Sequence, residues 1–284
     1  MREQAARLVR RAQVKADDFI YKVILKNILK TSKLGYGCIA EGAESGVNFE
    51  RIYNNAPEGS FFVGKIVDRI LLNLKACEAT RRRKDEIKRI LWNEIENNKF
   101  QNKKTKILDL ASGGARYLRE LKEEHNSGHV ESICIDKDLK CVRLGKALAG
   151  REKVQNIRFI RGDLFKLNFL KNLGIAKEWR PNVIVASGLL IYFNDETVKK
   201  IAQEIYLELP PGGIFVFQSY ENLDTKKLMR KTMATSSGEN WTLYYRKPIF
   251  WRELLLGLGF HDFFITRDQW QMNNVCVVRK PRSS

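Results

Sequence analysis

The chain of 284 residues contains no apolar run that approaches the roughly 18 residues needed to span a bilayer. The longest candidate, Phe19–Leu29, is interrupted by Lys22 and Lys26. The first residues also lack the apolar core of a signal peptide. We therefore expect a cytoplasmic protein.

Histidine and cysteine are scarce, with three and five residues, and no two cysteines form a C-x-x-C pair. An odd and scattered set of cysteines is typical of reduced thiols rather than of a disulfide framework. The histidines do not combine with the cysteines in any zinc-binding spacing, so the sequence predicts no metal site.

Acidic residues are the minority among the charges: 33 Asp and Glu face 51 Lys and Arg, which gives a net charge of +18. Such a charge attracts polyanions such as nucleic acid and anionic lipid. The first 33 residues hold nine Lys and Arg against three Asp and Glu, and Phe19, Val23 and Ile28 recur at near-helical spacing. We expect a basic amphipathic segment there, and three roles stay open: packing on its own domain, weak peripheral contact with an anionic membrane, or nucleic-acid binding.

Residues 34–60 are rich in glycine and small polar residues, which predicts a loop with short turns. Apolar periodicity then predicts helices over Phe62–Ala76 and Thr80–Asn97. The basic cluster Arg81–Lys84 is unfavourable at a helix start. It indicates either a solvated face or contact with an anion such as a cofactor carboxylate, for which Arg81 is the candidate. We expect residues 1–100 to be a helical region that completes the active site.

From Lys104 onward, strand and helix patterns alternate, which predicts a mainly parallel sheet covered on both faces. The predicted strands are Lys106–Leu110, Ser132–Ile135, Ile157–Ile160, Val183–Ala186 and Ile214–Gln218, followed by an antiparallel hairpin of Phe260–Thr266 and Val275–Arg279. The predicted helices are Arg116–His125, Leu139–Leu148, Thr197–Leu209, Lys226–Thr235 and Trp251–Leu258. The expected fold is therefore α/β: a Rossmann-like, mostly parallel sheet over residues 101–284 with a helical N-terminal extension.

The strongest local motif is Ile107–Tyr117, in which an apolar strand ends in an acid and a turn of small residues opens a helix. Small residues let the backbone approach a ligand without a Cβ clash, and ligands of such sheets bind at the carboxyl ends of strands. The turn is not the G-x-G-x-x-G of dinucleotide sites, and it fits S-adenosylmethionine (SAM) better than NAD. A tight turn in some other α/β protein is the alternative. The predicted cofactor contacts here are Asp109, Ala111, Ser112 and Gly113.

Two further candidate strands also end in acids. Asp136 can accept both ribose hydroxyl hydrogen bonds of an adenosine, with an N-cap for the next helix as the alternative. Asp163 is placed to accept a hydrogen bond from an adenine amino group, with Leu164 or Phe165 covering the adenine face. The predicted contacts are Asp136, Lys137, Gly162, Asp163 and Leu164.

The segment after the fourth candidate strand lies beside the point where the strand order should reverse, where a reacting group is expected. Ser187 is the predicted cofactor contact in this segment. Tyr192, Tyr220 and Trp241 are candidate catalytic or substrate-pocket residues, and ordinary core packing is the alternative for each.

Motifs distributed from about Gly42 to Val278 carry a resemblance to a known family. They are Tyr53–Gly59, Gly64–Arg69 and Arg81–Lys84, then Ser187–Leu189, Phe193, Trp241, Arg246, Gly259–Phe260 and Asp268–Trp270. In these the chain resembles a family of bacterial class I SAM-dependent methyltransferases, some members of which are fused to an α/β-hydrolase domain. It departs from them at Ala115, where the family usually carries glycine.

The resemblance implies direct methyl transfer from SAM to an acceptor, with a small molecule or a lipid favoured. The basic N-terminus favours an anionic or membrane-associated molecule, with RNA as another option. Three alternatives remain at this stage: a non-catalytic SAM-fold binding protein, an RNA methyltransferase and an NAD(P)-dependent oxidoreductase. Ala115 hints at the first, and no appended RNA-binding module is recognisable for the second. If the N-terminal region completes the site, a truncation that starts at Lys104 should lose activity.

Overall fold

The computed structural model describes residues 26–125, 128–163, 179–221 and 243–282. Its strands are β1 (Thr105–Leu110), β2 (Val130–Asp136), β3 (Ile157–Arg161), β4 (Val183–Ala186), β5 (Ile214–Ser219), β6 (His261–Thr266) and β7 (Asn274–Arg279). They form one sheet in the order β3-β2-β1-β4-β5-β7-β6. The strand order therefore reverses between β1 and β4, which opens a crevice at the carboxyl ends of these strands.

Strands β1 to β5 pair in parallel, and β7 pairs antiparallel with both β5 and β6. Every residue of β4 and β5 is buried, as expected for strands that are covered on both faces. The predicted Rossmann-like sheet with a C-terminal antiparallel hairpin is confirmed.

The helices are α1 (Lys26–Thr31), α2 (Lys33–Ala40), α3 (Gly46–Asn54), α4 (Phe61–Leu72), α5 (Lys75–Phe100), α6 (Arg116–His125), α7 (Leu139–Arg151), α8 (Asp195–Glu208) and α9 (Pro248–Gly257). A short 3₁₀ turn covers Leu190–Tyr192. The helix predicted over Lys226–Thr235 lies outside the described residues. None of the helices in the described ranges combines the length and apolar composition needed to cross a bilayer.

The prediction of a loop over residues 34–60 is wrong, because α2 and α3 occupy much of this stretch. Ser32 and Ser45 cap the two helices by accepting from the backbone N–H groups two or three residues on. The glycines here allow close packing rather than turns. A Cβ added to Gly35 would lie 2.5 Å from the carbonyl oxygen of Leu29, and one added to Gly46 would lie 2.6 Å from the Cα of Gly113.

Two apolar layers cover the sheet. On one face α8 and α9 pack against the strands, and Trp251 is the largest fully buried side chain. Its indole N–H donates to the Ser219 hydroxyl at 2.7 Å, which satisfies its polar group. On the other face α5, α6 and α7 pack through residues such as Leu91, Leu118 and Val142. Burying each aliphatic side chain of this kind contributes about 1.5–3 kcal/mol.

Helix α5 joins the N-terminal region to the last strands of the chain. Glu94 forms an ion pair with Arg279 of β7 at 2.8 Å. The hydroxyl of Thr266 in β6 donates to the Glu86 carboxylate at 2.8 Å. Helix α5 therefore runs along the sheet from the carboxyl end of β5, where Arg83 donates to Gln218, to its amino end, where Arg279 lies opposite Ile214.

Candidate active site

A cavity of about 450 Å³ opens at the carboxyl ends of β1 to β4, within the range of small-molecule sites. One wall consists of the loops that follow these strands. The other wall comes from the N-terminal region, through Glu41, Glu44, Phe49, Tyr53 and Arg83 among others. Both parts of the chain therefore shape the same cavity.

The loop after β1 forms the floor of the cavity. Ala111, Gly113 and Ala115 adopt φ values of 55°, 55° and 50°, a region that favours glycine. The loop approaches α3 so closely that a Cβ on Gly113 would lie 3.1 Å from the Cα of Gly46. Ala115, the departure from the family pattern, is 1% exposed and packs in the core beneath the loop.

A buried charge cluster fixes α3 against this loop. Glu50 of α3 pairs with Arg116 at 2.8 Å and with Arg119 at 2.9 Å. Arg119 also donates to the carbonyl of Gly114 at 2.8 Å and pairs with Glu152. The side chains of Glu50 and Arg119 are only 7% and 1% exposed, so this cluster is shielded from solvent.

Asp136 ends β2 and lines the cavity. Its two oxygens accept from the N–H of Gly113 at 2.8 Å and from the N–H of Asp138 at 2.9 Å. Burial raises the pKa of Asp136, although these two donors act in the opposite direction. The cap of the following helix is Asp138, which accepts from the N–H of Lys140. Asp136 is therefore not the N-cap that the sequence left open.

Three of the four remaining predicted contacts near β2 and β3 line the cavity. Lys137, Gly162 and Asp163 line the cavity beside Asp136. Leu164 lies outside the described residues.

Asp109 lies beneath the floor of the cavity rather than in its wall. It is fully buried and accepts a hydrogen bond from the hydroxyl of Tyr117 at 2.5 Å. Burial raises its pKa to about 8, with a smaller contribution from the charge of Asp136. In this position Asp109 supports the loop through Tyr117, which itself lines the cavity.

After the end of β4, Ser187 and Tyr192 both line the cavity. Ser187 is the predicted cofactor contact, and Tyr192 is one of the candidate catalytic or substrate-pocket residues. Tyr220 does not line it: its side chain is 8% exposed and packs edge-on against Tyr245. Burial raises the pKa of Tyr220. Trp241 lies outside the described residues.

In the arginine cluster of α5, the residue that lines the cavity is Arg83 rather than the predicted Arg81. The Arg81 guanidinium donates to the carbonyl of Leu72 at 3.0 Å and does not line the cavity. Arg83 does line it and is 3% exposed. Helical spacing could have indicated this, because Arg83 is four residues before the buried Ile87 and so lies on the inner face of α5. Phe49 and Tyr53 were also missed, since their segment was predicted as a loop.

Acids outnumber bases in the cavity. Among the residues that the structure describes, the lining carboxylates are Glu41, Glu44, Glu50, Asp136, Asp138 and Asp163, and the lining cations are Arg83, Arg116 and Lys137. The whole chain carries +18, so the cavity has the opposite charge balance to the protein. Such a lining favours a ligand with positive charge.

The fold is that of class I, Rossmann-like methyltransferases. The structure described as a possible exported protein from Bordetella parapertussis matches with a TM-score of 0.69 and 19% identity, over 90% of this chain and 85% of that one. Magnesium protoporphyrin IX methyltransferase (ChlM) from Synechocystis PCC 6803, crystallised with bound S-adenosylhomocysteine (SAH), matches with a TM-score of 0.55 and 13% identity, over 84% and 97% of the two chains. At these identities the likeness concerns the fold alone.

The chain belongs to the family described as "Putative methyltransferase", whose model matches residues 1–280. Among curated proteins, the uncharacterized protein YnbC of Escherichia coli (strain K12) is 24% identical over 244 residues, which is 84% of this chain and 41% of that protein. The chain therefore spans less than half the length of this relative.

Proposed function

We propose that the protein transfers a methyl group from SAM directly to an acceptor. The observation that carries the proposal is Asp136, a half-buried carboxylate in the cavity wall whose position is fixed by the N–H of the Gly113 loop. A carboxylate at the end of the second strand is the group that binds an adenosine ribose in this kind of sheet. Membership of a methyltransferase family supports the same assignment.

The charge balance of the cavity favours SAM over NAD. SAM carries a sulfonium and an ammonium group, and six carboxylates line the cavity. NAD carries an anionic pyrophosphate that needs a glycine-lined helix N-terminus. The loop after β1 does not have that glycine pattern, and Glu50 at the approach to α6 is already paired with Arg116 and Arg119. The cavity therefore fits the cationic groups of SAM better than a pyrophosphate.

When bound, SAM supplies an electrophilic methyl group, so the chain's own residues have to bind and orient the reactants. We assign the ribose to Asp136 and the adenine to Asp163 and Leu164. The backbone of the Ala111–Gly113 loop, with Ser187, would hold the methionine portion. Asp109 acts as a positioning residue, since it reaches the cavity only through Tyr117. The acceptor would enter beside Tyr192, at the end of β4, and a small molecule or lipid is the favoured class.

Isothermal titration calorimetry tests the cofactor assignment. SAM and SAH should both bind, with SAH in the micromolar range, and NAD should give no heat of binding. Tight binding of NAD without binding of SAH would overturn the proposal in favour of an oxidoreductase.

A methyl-transfer assay separates an enzyme from a non-catalytic SAM-binding protein. The protein is incubated with methyl-labelled SAM and with separate small-molecule, lipid and RNA fractions. Label should appear in the small-molecule or lipid fraction. Binding of SAH with no transfer to any fraction would favour the non-catalytic alternative. Label in the RNA fraction would show that the acceptor is RNA rather than a small molecule or lipid.

A further inference from the structure

A buried positive charge in the cavity wall, that of Arg83, has no negative partner among the described residues. The Arg83 guanidinium donates to the side-chain oxygen of Gln218 and to the Tyr53 hydroxyl at 3.2 Å, and it forms no ion pair within the described part of the chain. Its Nε–H is buried and has no hydrogen-bond acceptor there. Arg116, by comparison, is neutralised by Glu50. An unpaired buried cation is costly, so its presence in the wall indicates that an anion completes the site.

Arg83 lies at the opposite end of the cavity from Asp136. Its bonded partner Gln218 belongs to β5, and a Cβ on Gly188, just after β4, would lie 3.3 Å from the Arg83 Nη1. Three strand spacings of about 4.8 Å separate β2 from β5 in the sheet order. Arg83 is therefore roughly 14 Å along the sheet from the proposed ribose anchor.

Two anions could meet this end of the cavity: the carboxylate of the cofactor's methionine portion and an anionic group on the acceptor. The cofactor carboxylate has another place to bind, because the first two N–H groups of α6, those of Arg116 and Tyr117, have no backbone acceptor in the described structure. Gly114, Ala115 and Arg116 bring that helix start into the cavity wall beside β1. One carboxylate cannot occupy both positions.

We propose that Arg83 binds a carboxylate or phosphate group carried by the methyl acceptor. The inference rests on the proposed function, and it defines the acceptor as an anionic molecule. The guanidinium is held in place for this task. Gln218 donates in turn to Asn273, whose amide donates to the Thr80 hydroxyl at 3.4 Å. The ring of Phe49 lies 5.3 Å from the guanidinium carbon and packs against the guanidinium.

The first experiment asks whether Arg83 binds the cofactor. SAH and 5′-methylthioadenosine, which lacks the amino-acid portion, are titrated into the wild type, Arg83→Gln and Arg83→Lys. Arg82→Gln is the matched control, because Arg82 is the next residue on α5 and its side chain is 53% exposed. SAH affinity in Arg83→Gln should stay within about twofold of the wild type. A tenfold loss for SAH with unchanged methylthioadenosine binding would assign Arg83 to the cofactor and overturn the proposal.

The second experiment probes the acceptor end with benzoate and its neutral isostere benzamide, titrated onto SAH-saturated protein. Benzoate should bind the wild type and Arg82→Gln roughly tenfold more tightly than benzamide, a difference of about 1.4 kcal/mol. Arg83→Gln should lose this preference and Arg83→Lys should retain part of it. A wild type that does not distinguish the two probes refutes the anion site. If SAH itself does not bind, the cofactor assignment fails separately, and the same titration on free protein still tests Arg83.

A second inference concerns the surface of α4. Six apolar side chains point outward there, and we call them the α4 outer face: Phe61, Phe62, Val63, Ile66, Ile70 and Leu74. Phe61, Phe62 and Ile70 are 91%, 78% and 59% exposed. A contiguous exposed apolar patch of this kind marks an interaction surface.

The charges around the α4 outer face identify its partner. The exposed charged residues between 61 and 75 are Lys65, Arg69 and Lys75, all of them basic. The acid of α4, Asp68, is buried and accepts from the N–H groups of Leu34 and Glu58. We propose that this face docks on an anionic lipid surface, with the apolar side chains in the headgroup boundary and the cations among the phosphates.

Repulsion between like charges disfavours two other possible occupants of the α4 outer face, a second copy of the chain and residues 1–25. A second copy of the chain would bring the same cations together across a twofold axis. Residues 1–25 carry six Lys and Arg against three Asp and Glu, so they share the sign of the patch. The membrane contact predicted for residues 1–33 is compatible with this surface: Ile28 of α1 is 42% exposed, whereas Phe19 and Val23 lie outside the described residues.

Vesicle co-sedimentation tests this surface with phosphatidylcholine alone and with a 7:3 mixture of phosphatidylcholine and phosphatidylglycerol. The wild type should bind the anionic vesicles in a salt-sensitive way. The triple variant Phe62→Ser, Ile66→Ser, Ile70→Ser should reduce the bound fraction at least fivefold. Leu207→Ser, at a 69% exposed position on α8, is the matched control and should bind like the wild type. Undiminished binding by the triple variant refutes the proposal, as does a wild-type dimer in light scattering that the triple variant abolishes.

Discussion

Replacing Glu50 with glutamine removes the negative charge that holds α3 against the loop after β1. Glutamine has nearly the same shape, so the change leaves no cavity. Its amide oxygen still accepts one hydrogen bond, but Arg116 and Arg119 lose their shared counter-charge. The expected result is a less stable protein whose N-terminal helices are held more loosely.

The size of the effect follows from the partners that remain. Breaking a buried ion pair by removing one member costs about 3–5 kcal/mol. Arg119 keeps Glu152 and the carbonyl of Gly114, and Arg116, whose side chain is 19% exposed, has Glu120 at 3.9 Å. These partners reduce the expected loss in the free energy of unfolding to about 2–3 kcal/mol.

Thermal unfolding followed by circular dichroism measures this loss, which corresponds to roughly 3–5 °C in Tm for a chain of this size. Glu58→Gln is the matched control. Its pair with Lys33 has side chains 50% and 47% exposed, so its removal should cost less than about 1 kcal/mol. If Glu50→Gln unfolds within 1 °C of the wild type, or no earlier than Glu58→Gln, the buried cluster does not stabilise the docked helices.

Three further predictions concern the floor and wall of the cavity. Asp136→Ala should weaken SAH binding at least tenfold in calorimetry, because each charge-assisted hydrogen bond is worth about 1.5–3 kcal/mol; equal affinity with an unchanged dichroism spectrum contradicts the ribose assignment. Asp109 has a folded-state pKa of about 8 against an ordinary 3.8, so its contribution to stability is fully present below about pH 3.8 and is lost as the pH rises through about 8. Wild-type stability in urea should therefore fall relative to Asp109→Asn by up to about 1.4 kcal/mol per pH unit in this window, and parallel pH profiles would refute the raised pKa. Gly46→Ala should weaken SAH binding, since its Cβ would lie 2.6 Å from the Cα of Gly113, whereas Gly150→Ala, whose Cβ meets nothing within 4 Å, should not; equal effects of the two changes would show that the contact is unimportant.

The sheet could be predicted because each strand has a recognisable local sequence pattern. Val183–Ala186 is a continuous apolar run, and Asp109, Asp136 and Asp163 stand at or just after strand ends. Periodicity gives such elements their place along the chain, and parallel topology then brings their ends together. The antiparallel hairpin was predicted on the same grounds, but the insertion of β7 between β5 and β6 depends on long-range pairing.

The N-terminal wall could not be predicted in the same way. Gly35 and Gly46 suggested turns, yet both lie in helices, at positions where neighbouring chain segments leave no room for a side chain. That reason exists only in the folded protein. The distinction between Arg81 and Arg83 was within reach of the sequence, because the helical phase set by Ile87 places Arg83 inside. It was missed because the cluster was considered as a block of charge.

The contacts of α5 with the last strands affect the order in which the molecule can form during synthesis. Glu86 and Glu94 emerge from the ribosome early, but their partners Thr266 and Arg279 lie 180 and 185 residues later in the chain. At a synthesis rate of about 5–20 residues per second, these partners are added roughly 10–40 s after α5. During that interval the inner face of α5 lacks β7, although β1 and α6, which pack in the same apolar cluster as Ile87, are already synthesised. The contacts of α5 with β6 and β7 should therefore form after its contacts with β1 and α6.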